Sequence, residues 1–310
     1  MKVYLNRTQR FGPWGGGAAF TNAFIKRAGQ HCEFMNDQSL MFAPSVILIA
    51  GLDNDGGSGI SFDQAVLYKM MSDPNVKIVL RVNENDARKG TNNVDKTLVE
   101  ASKHIDGTVF VSRWLQSYFA KKKWKCKNQT VIVNGVAADV FSPQPKLNNG
   151  KINIVTHHWS DNEMKGADYY ELIDDFVGKN SDKFSFTYIG RHKCDFKNTT
   201  VIRPLHGKAL GDELGKYDVY VSASRFDPGP NHITEAISCG LPTYVHKDGG
   251  GAVEFAGNDH VFSSYVELEK LLLNGEFKPN QTTFAGWGNC IESYVRYLET
   301  VCMNNIVIVL

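Results

Sequence analysis

The sequence predicts an α/β fold with two parallel-sheet domains of similar size. Short apolar or β-branched runs alternate with helix-like stretches along the chain, and this alternation builds parallel sheets from βαβ units. The length of 310 residues fits two domains of ordinary size. A Pro-, Asn- and Gly-rich stretch at 142–150 separates two series of these units and is the best candidate for a linker.

The predicted elements follow in chain order. In the first half we expect strands at 2–5, 46–50, 77–82 and 108–111, and helices at 18–29, 61–71, 94–104 and 114–123. In the second half we expect strands at 151–156, 184–189, 200–202, 219–222 and 243–246, and helices at 167–177, 209–216 and 232–239. A last helix is predicted over 284–303, where apolar residues recur every three or four positions. We therefore expect a first domain at 1–145, a second at 146–285, and a C-terminal helix and tail at 286–310 that packs across the junction, with an edge strand at 306–310.

Composition and missing motifs argue against several classes of protein. Lys and Arg number 34 against 33 Asp and Glu, so the net charge of +1 gives no general attraction for nucleic acid. The six cysteines are scattered without CxxC spacing, which argues against a zinc site or a disulfide framework and suits a reducing compartment. The chain shows no signal-peptide core and no apolar run long enough to span a membrane, so we expect a cytoplasmic protein. The motifs of dinucleotide-binding dehydrogenases, P-loop NTPases, esterases and zinc proteases are missing.

One stretch of the second half carries the most chemical information. Its pattern is strand, tight loop, helix and strand, with Pro230 suited to the first helical position and Gly240 to the position just after the helix. Such a helix start directs the backbone N–H groups of Asn231, His232 and Ile233 towards open space. Together these groups suit an anion.

Two carboxylates belong to the same stretch. Asp227 lies in the loop, and Glu235 lies in the second turn of the predicted helix. A carboxylate beside a phosphate-binding helix start is well placed to accept hydrogen bonds from sugar hydroxyls, and Glu235 is placed to hold a ribose diol. The alternative is an ordinary helix with solvated acidic residues.

This stretch resembles the C-terminal signature of family 4-like glycosyltransferases (glycosyl transferases group 1). The signature has an acidic residue, then seven residues, Glu-Ala and, after two or three more, Gly-Leu-Pro, and Asp227, Glu235 and Gly240 fit it. Asp227 stands where Glu is usual, and Pro228 and Pro230 replace positions that are commonly flexible. The resemblance implies a retaining enzyme of the GT-B fold, in which two Rossmann-like domains face each other across a cleft and a C-terminal helix crosses the junction.

Other segments extend the resemblance over nearly the whole chain. The runs at 131–143 and 249–254 resemble the approach to the family's interdomain linker and its Gly-rich loop ending in Glu, and the run at 12–17 resembles its N-terminal glycine loop. Lys165-Gly166 resembles the pair that grips the donor diphosphate, but the arginine that accompanies this pair in the family is missing.

Two histidines and a serine occupy the neighbourhood of the missing arginine, namely His157, His158 and Ser160. His157 and His158 are adjacent at the end of a predicted strand, so their side chains are expected to point to opposite faces. At most one of the two is therefore expected to face the ligand.

The resemblance implies a donor site for a nucleotide-diphosphate sugar. Its expected members are Gly16, Gly17, His158, Lys165, Asp227, Gly229, Asn231, His232, Ile233 and Glu235. Lys165 and the helix-start N–H groups would stabilise charge on the departing diphosphate, and Asp227 would orient the sugar ring. Asp86 is the first candidate for the general base that activates the acceptor. The resemblance implies no metal and no cofactor, because the nucleotide sugar is a substrate and protein cations replace a metal ion.

The acceptor side is less well defined. The polar loop at 81–90 and the group Asp53, Asn54 and Asp55 each follow a strand and are candidates for binding a glycan, a lipid-linked or a small-molecule acceptor, with a solvated loop as the alternative. The basic run at 121–127 would make weak peripheral contact with a membrane if the acceptor is lipid-linked, whereas a solvated helix end is the simpler interpretation. Two other functions stay open: a sugar-nucleotide epimerase or hydrolase on the same scaffold, and a sugar-nucleotide-binding module without catalysis.

Overall fold

The computed structural model describes residues 1–12, 15–36, 43–53 and 59–303. Within them, the chain divides into two compact units. Of the described residues, the first unit contains those within 1–86, 91–135 and 287–303, and the second contains residues 136–286 together with the short segment 87–90. The edge strand expected at 306–310 lies outside the described residues.

The first unit is built on a parallel sheet of six strands. The strands are β1 (Lys2–Leu5), β2 (Glu33–Met35), β3 (Val46–Ile49), β4 (Lys77–Val82), β5 (Gly107–Phe110) and β6 (Gln129–Val131). They pair in the order β2-β1-β3-β4-β5-β6, and every pairing is parallel. The accompanying helices are α1 (Gly16–Arg27), α2 (Phe62–Met71), α4 (Val94–Ala101) and α5 (Arg113–Lys121). Between α2 and α4 lies the single turn α3 (Asp86–Lys89), which begins in this unit at Asp86 and whose other residues group with the second unit.

Hydrophobic patterning explains which strands of this sheet the sequence reveals. β3 and β4 are buried along their whole length, as expected for parallel strands that are covered on both faces. The edge strands β2 and β6 have only three residues each and are partly exposed, so they leave no apolar run in the sequence. α2 begins at Phe62, one residue after the predicted start, because Ser61 is its N-cap and forms a capping box with Gln64.

The second unit is built on another parallel sheet of six strands. The strands are β7 (Ile152–His158), β8 (Phe184–Gly190), β9 (Thr200–Ile202), β10 (Val219–Ser222), β11 (Thr243–His246) and β12 (Val261–Phe262). They pair in the order β12-β11-β10-β7-β8-β9, which is the strand order of dinucleotide-binding Rossmann domains. The accompanying helices are α6 (Ala167–Lys179), α7 (Gly207–Leu214), α8 (Asn231–Ser238), α9 (Gly251–Ala256) and α10 (Tyr265–Asn274).

The last described helix, α11 (Trp287–Met303), belongs to the first unit. Its apolar face is buried in the core that also contains Phe20 and Phe24 of α1, and the ring of Tyr294 packs 4.7 Å from that of Phe20 between centroids. Tyr294 also accepts a hydrogen bond from Nε of Arg81, which is fully buried in the same core. The chain therefore completes the second sheet before its end returns to the first.

Two parallel six-stranded sheets with helices confirm the predicted fold class. The chain first leaves the first unit after Gly135, before the Pro-rich stretch at 142–150 that is the predicted linker. No helix in the described part of the chain is both long enough and apolar enough to cross a bilayer.

Candidate functional site

The predicted site residues of the second unit lie beyond the ends of β7 and β10. These strands are neighbours at the centre of the sheet, and the chain leaves them towards opposite edges, to β8 and to β11. Ligands of open α/β sheets bind at such a switch point, outside the carboxyl ends of the strands. The loop after β7 carries Lys165, and the loop after β10 carries Asp227. The topology therefore brings together two residues that are far apart in the sequence.

Gly166 explains how the two loops approach each other so closely. Its φ is +89°, in the left-handed region, and a Cβ built on it would lie 2.5 Å from Cβ of Ala223, just beyond β10. Only glycine fits this conformation and this spacing. The backbone N–H of Arg225 also donates to the carbonyl oxygen of Met164, at 2.8 Å. The residue before Gly166, Lys165, is thus positioned against the loop after β10.

A third loop supports Asp227 from the other side. The N–H of Phe226 donates to the carbonyl of Asp248 at 2.7 Å, and the N–H of Gly251 donates to the carbonyl of Asp227 at 2.8 Å. Gly250 has a φ of +70°, and a Cβ there would lie 2.7 Å from the carbonyl oxygen of Asp227. The Gly-rich loop at 249–251 therefore acts as a backbone support that a larger residue would push away.

Phe226 itself has a φ of +53°. This left-handed conformation is unfavourable for a residue with a side chain, by about 1–2 kcal/mol. Backbone strain of this kind is concentrated at functional sites, where the surrounding structure enforces it. Here the enforcing contacts are the hydrogen bonds on either side of the residue.

The carboxylate of Asp227 lies between two cations. Its Oδ2 is 3.3 Å from Nζ of Lys165 and 3.3 Å from Nη2 of Arg88, and the three side chains are only 10–12% exposed. Burial alone would raise the pKa of Asp227, but the charges of Arg88 and Lys165 outweigh it and hold that pKa well below its usual range. Burial and the neighbouring Arg88 lower the pKa of Lys165 to about 8. The cluster therefore contains two positive charges and one negative charge at neutral pH.

Arg88 is not among the donor-site residues expected from the sequence. It belongs to the polar loop at 81–90, which was expected on the acceptor side. In the structure the segment 87–90 groups with the second unit, and Nη1 of Arg88 donates to the carbonyl oxygens of Met164, at 2.9 Å, and Arg225, at 3.4 Å. The only sequence signal for this role was the density of charged and polar residues in that loop.

The first turn of helix α8 differs from the one predicted from the sequence. Pro230 is the N-cap and Asn231 is the first helical residue. The N–H of Ile233 donates to the carbonyl oxygen of Pro230 at 3.1 Å, so it is engaged within the turn and is not open to an anion, contrary to the expectation. Asn231 and His232 remain at the helix start, which Gly229 precedes in the loop. The predicted glycine stop is confirmed, since Gly240 has a φ of +74° directly after the helix.

Glu235 forms a hydrogen-bonded pair with a histidine. Its Oε2 lies 2.9 Å from Nε2 of His157, and the carboxylate keeps 20% of its surface exposed. The phenol of Tyr220 accepts a hydrogen bond from the backbone N–H of His157 at 3.1 Å, which fixes the end of β7 beside α8. The ribose-binding candidate is therefore oriented by the neighbouring strand.

His158 and His232 lie in the interior beneath the cluster. Nε2 of His158 is 2.7 Å from the hydroxyl of Tyr170, and Nε2 of His232 is 3.0 Å from the hydroxyl of Ser222. Burial, and then the charge of Lys165, lower the pKa of both histidines well below 6.5. Both are therefore neutral at physiological pH.

The adjacent histidines of β7 do have different partners, as their positions on the strand predict. His157 contacts Glu235 of α8, whereas His158 contacts Tyr170 of α6. The rings of both nevertheless approach His232, at centroid distances of 6.1 and 4.9 Å. The expected separation of the two side chains is thus incomplete, because His232 sits over the end of the strand.

Asp86 has a structural role. Its two carboxylate oxygens accept from the backbone N–H groups of Val94, at 2.9 Å, and Asp95, at 3.0 Å, and also from the hydroxyl of Thr91. These bonds cap the N-terminus of α4 and, against the opposing effect of burial, lower the pKa of Asp86. A carboxylate committed in this way is a poor general base, so we do not retain Asp86 in that role.

The remaining predicted residues belong to the first unit. Gly16 and Gly17 form the start of α1, where a Cβ on Gly17 would lie 3.3 Å from the side-chain amide of Asn83. Asp53 forms an ion pair with Arg7, while Asn54 and Asp55 lie outside the described residues.

In the basic run at 121–127, Nζ of Lys122 lies 3.1 Å from the carboxylate of Asp95. Among the described residues, no group of three or more His, Cys, Asp or Glu side chains could hold a metal ion.

Comparison with known proteins places the fold. No protein-family model and no curated protein sequence matches the chain. Solved structures do match. Anabaena HepE in complex with UDP and glucose has a TM-score of 0.65 at 13% identity, with 98% of this chain and 97% of that chain covered. Sucrose-phosphate synthase from Thermosynechococcus elongatus has a TM-score of 0.67 at 12% identity, again with 98% and 97% covered.

A third similar structure is longer. The pneumococcal O-GlcNAc transferase GtfA, in complex with UDP and GlcNAc, has a TM-score of 0.57 at 13% identity, with 91% of this chain but only 60% of that chain covered. All three neighbours are GT-B glycosyltransferases. Such similarity at low identity establishes architecture, and together with the two Rossmann-like sheets it shows that this chain has the GT-B fold.

Proposed function

We propose that the protein is a glycosyltransferase that transfers a monosaccharide from a nucleotide-diphosphate sugar to an acceptor hydroxyl. The observation that carries the proposal is the buried cluster of Lys165, Arg88 and Asp227 at the switch point of the second sheet. Two cations held close together in a poorly solvated site suit an anionic ligand. Similar structures support a nucleotide sugar as that ligand, since HepE is solved with UDP-glucose and GtfA with UDP and GlcNAc.

The proposed chemistry depends on stabilising the leaving group. As the glycosidic bond breaks, negative charge develops on the diphosphate, and a cation already fixed beside it lowers the barrier without reorganisation. Lys165 is fixed in this way by the close approach at Gly166. Asp227 would accept a hydrogen bond from the donor sugar and so orient its ring.

Glu235 is proposed to bind the ribose of the donor. The contact with His157 engages Oε2, and Oε1 is the oxygen that we expect to accept from a ribose hydroxyl. A carboxylate in this position of a Rossmann-like unit is suited to a vicinal diol. On the basis of the family resemblance, the proposed transfer retains the stereochemistry of the sugar and needs no metal ion. The proposed acceptor is a glycan, a lipid-linked molecule or a small molecule.

A non-catalytic sugar-nucleotide-binding module is the second candidate. The geometry of Asp86 favours it, because the one carboxylate proposed as general base is committed to capping α4. The two functions are distinguished by product formation. A binding module would bind the donor without transferring the sugar to any acceptor or releasing it to water.

A cytoplasmic location is part of the proposal. All six cysteines are free thiols, as is usual for proteins of reducing compartments.

Thermal unfolding with UDP, GDP, ADP, CDP and dTDP, and with their glucose conjugates, tests the donor site. A nucleotide at about 100 times its Kd is expected to stabilise the protein by about 2.7 kcal/mol. Lys165→Met and Glu235→Ala are each expected to abolish this shift, whereas Lys208→Met, which removes a cation that is 79% exposed, is expected to preserve it. If none of these nucleotides shifts the unfolding of the wild-type protein, the proposed function is refuted.

A further inference from the structure

The Asp227 cluster holds two cationic side chains close together in a poorly solvated position. Lys165 and Arg88 both approach the same carboxylate oxygen, Oδ2 of Asp227. His158 and His232, the other titratable groups that face Lys165, are neutral and supply no negative charge. Both cations thus contact one carboxylate oxygen, in a place where water reaches only about a tenth of each side chain.

Arg88 is fixed by more than this ion pair. Its Nη1 donates to the carbonyl oxygens of Met164 and Arg225, one from each of the two loops that form the site. The guanidinium group is a planar fork with five N–H donors, and it suits bidentate contact with phosphate oxygens. The two carbonyl contacts hold Arg88 at the site through bonds that do not require Asp227.

We propose that Arg88 is the second cation of the donor diphosphate subsite, where it binds the nucleoside diphosphate together with Lys165. This inference rests on the proposed function and assigns a residue that no sequence motif marks. The diphosphate replaces the Asp227 carboxylate as the partner of both cations, and Asp227 is then released to accept from a hydroxyl of the donor sugar. Asp227 thus partly neutralises the two cations that the diphosphate would bind.

The first test compares the binding of UDP and of uridine to the whole protein by isothermal titration calorimetry. If GDP or ADP is the diphosphate that shifts thermal unfolding, it is compared with guanosine or adenosine instead. Arg88→Met is expected to weaken UDP binding by about 10- to 100-fold, the usual effect of losing a charge-assisted hydrogen bond, and to leave uridine binding unchanged. Arg203→Met is the matched control, because it removes an exposed arginine of the same unit and is expected to change neither affinity.

The second test uses pH, because it responds to charge and not to a loss of packing. Arg88 repels the Lys165 ammonium group and, after burial, is the largest contribution to lowering its pKa to about 8. In the wild-type protein, UDP binding is therefore expected to weaken as the pH rises above about 8, by up to about tenfold per unit. In Arg88→Met the repulsion is gone, so the onset of this weakening is expected to move to higher pH.

Arg88→Gln is a second variant that keeps the test valid if Arg88→Met does not fold. Its amide keeps a donor for the carbonyls of Met164 and Arg225 but removes the charge, so it is expected to reproduce both effects. If the wild-type protein binds UDP and the charge-free variants bind it equally well, the role of Arg88 is refuted and the proposed function stands. The role of Arg88 is also refuted if the variants lose affinity for UDP and uridine equally and UDP binding still begins to weaken at the same pH, since this result indicates a structural role. If the wild-type protein binds no nucleoside diphosphate, the proposed function fails first.

Discussion

Gly166 offers a direct test of how the site is built, because the effect of one added methyl group can be worked out from the structure. In Gly166→Ala the backbone would keep a φ of +89°, which costs a residue with a side chain about 1–2 kcal/mol. The new Cβ would also lie 2.5 Å from Cβ of Ala223, so the loop would have to move by roughly 1 Å to restore ordinary carbon–carbon contact. Overpacking of this kind adds about 1–3 kcal/mol, for a total of about 2–5 kcal/mol.

Gly275→Ala is the matched control for the backbone contribution. Gly275 is also left-handed, with a φ of +69°, but its nearest neighbour, Cδ1 of Ile152, is at an ordinary contact distance of 3.5 Å. This variant should lose only the backbone contribution of about 1–2 kcal/mol. In thermal unfolding, the difference of about 1–3 kcal/mol corresponds to a further fall of about 2–12 °C in Tm for Gly166→Ala.

The two glycine variants should also differ in donor binding. Moving the loop displaces Lys165 from the diphosphate subsite, so Gly166→Ala is expected to lose affinity for UDP, and Gly275→Ala is expected to keep it. If the two variants unfold at the same temperature and bind UDP equally well, the close approach of the loops is not what positions Lys165, and the account of the site given above is wrong.

Three further predictions test the electrostatic and capping arguments. Tyr294→Phe should lower the free energy of unfolding by about 1.5–3 kcal/mol, because buried Arg81 loses an acceptor, and a denaturation curve identical to wild type would contradict this. Asp86→Asn should lose about 0.5–2 kcal/mol of stability and leave UDP affinity unchanged; since the folded-state pKa of Asp86 is lowered, its contribution is present at neutral pH and disappears as the pH falls through that pKa. His158 and His232 should not titrate near pH 6.5, because burial and then the charge of Lys165 lower the pKa of both well below that value, and an NMR pH titration in which either imidazole protonates near 6.5 would contradict this.

Much of the fold could be predicted because the buried parallel strands are continuous apolar runs. β1, β4 and β10 have the bounds that the sequence predicts. The short strand β12, of two residues, and the six-residue helix α9 have too few residues for a period to show, so the pattern could not reveal them. Secondary structure of this kind depends on tertiary contacts more than on local sequence.

The candidate site likewise contains one residue pair that the sequence could predict and one that it could not. The pairing of Lys165 with Asp227 could be inferred, because both follow strands of one sheet and the carboxyl ends of parallel strands meet at one edge. The pairing of Arg88 with Asp227 could not, since Arg88 follows no strand of that sheet and nothing local distinguishes it from the other charged residues of its loop. Asp86 was misread for a related reason: it caps a helix that begins eight residues later, beyond the reach of the usual N-cap pattern.

The cost of the cluster and its proposed use have the same physical origin. A buried ammonium group beside a guanidinium group is destabilised, and this is why the pKa of Lys165 falls to about 8 rather than lying near 10.5. The value still lies above neutral pH, so both cations are charged at neutral pH. A ligand with two phosphates compensates the repulsion between the two cations. The unfavourable free energy of holding them together is already part of the folded state, so its relief on binding increases the affinity for the diphosphate. A neutral nucleoside cannot gain in this way, so discrimination between a diphosphate and its nucleoside should depend on both cations together and decrease when either one is removed.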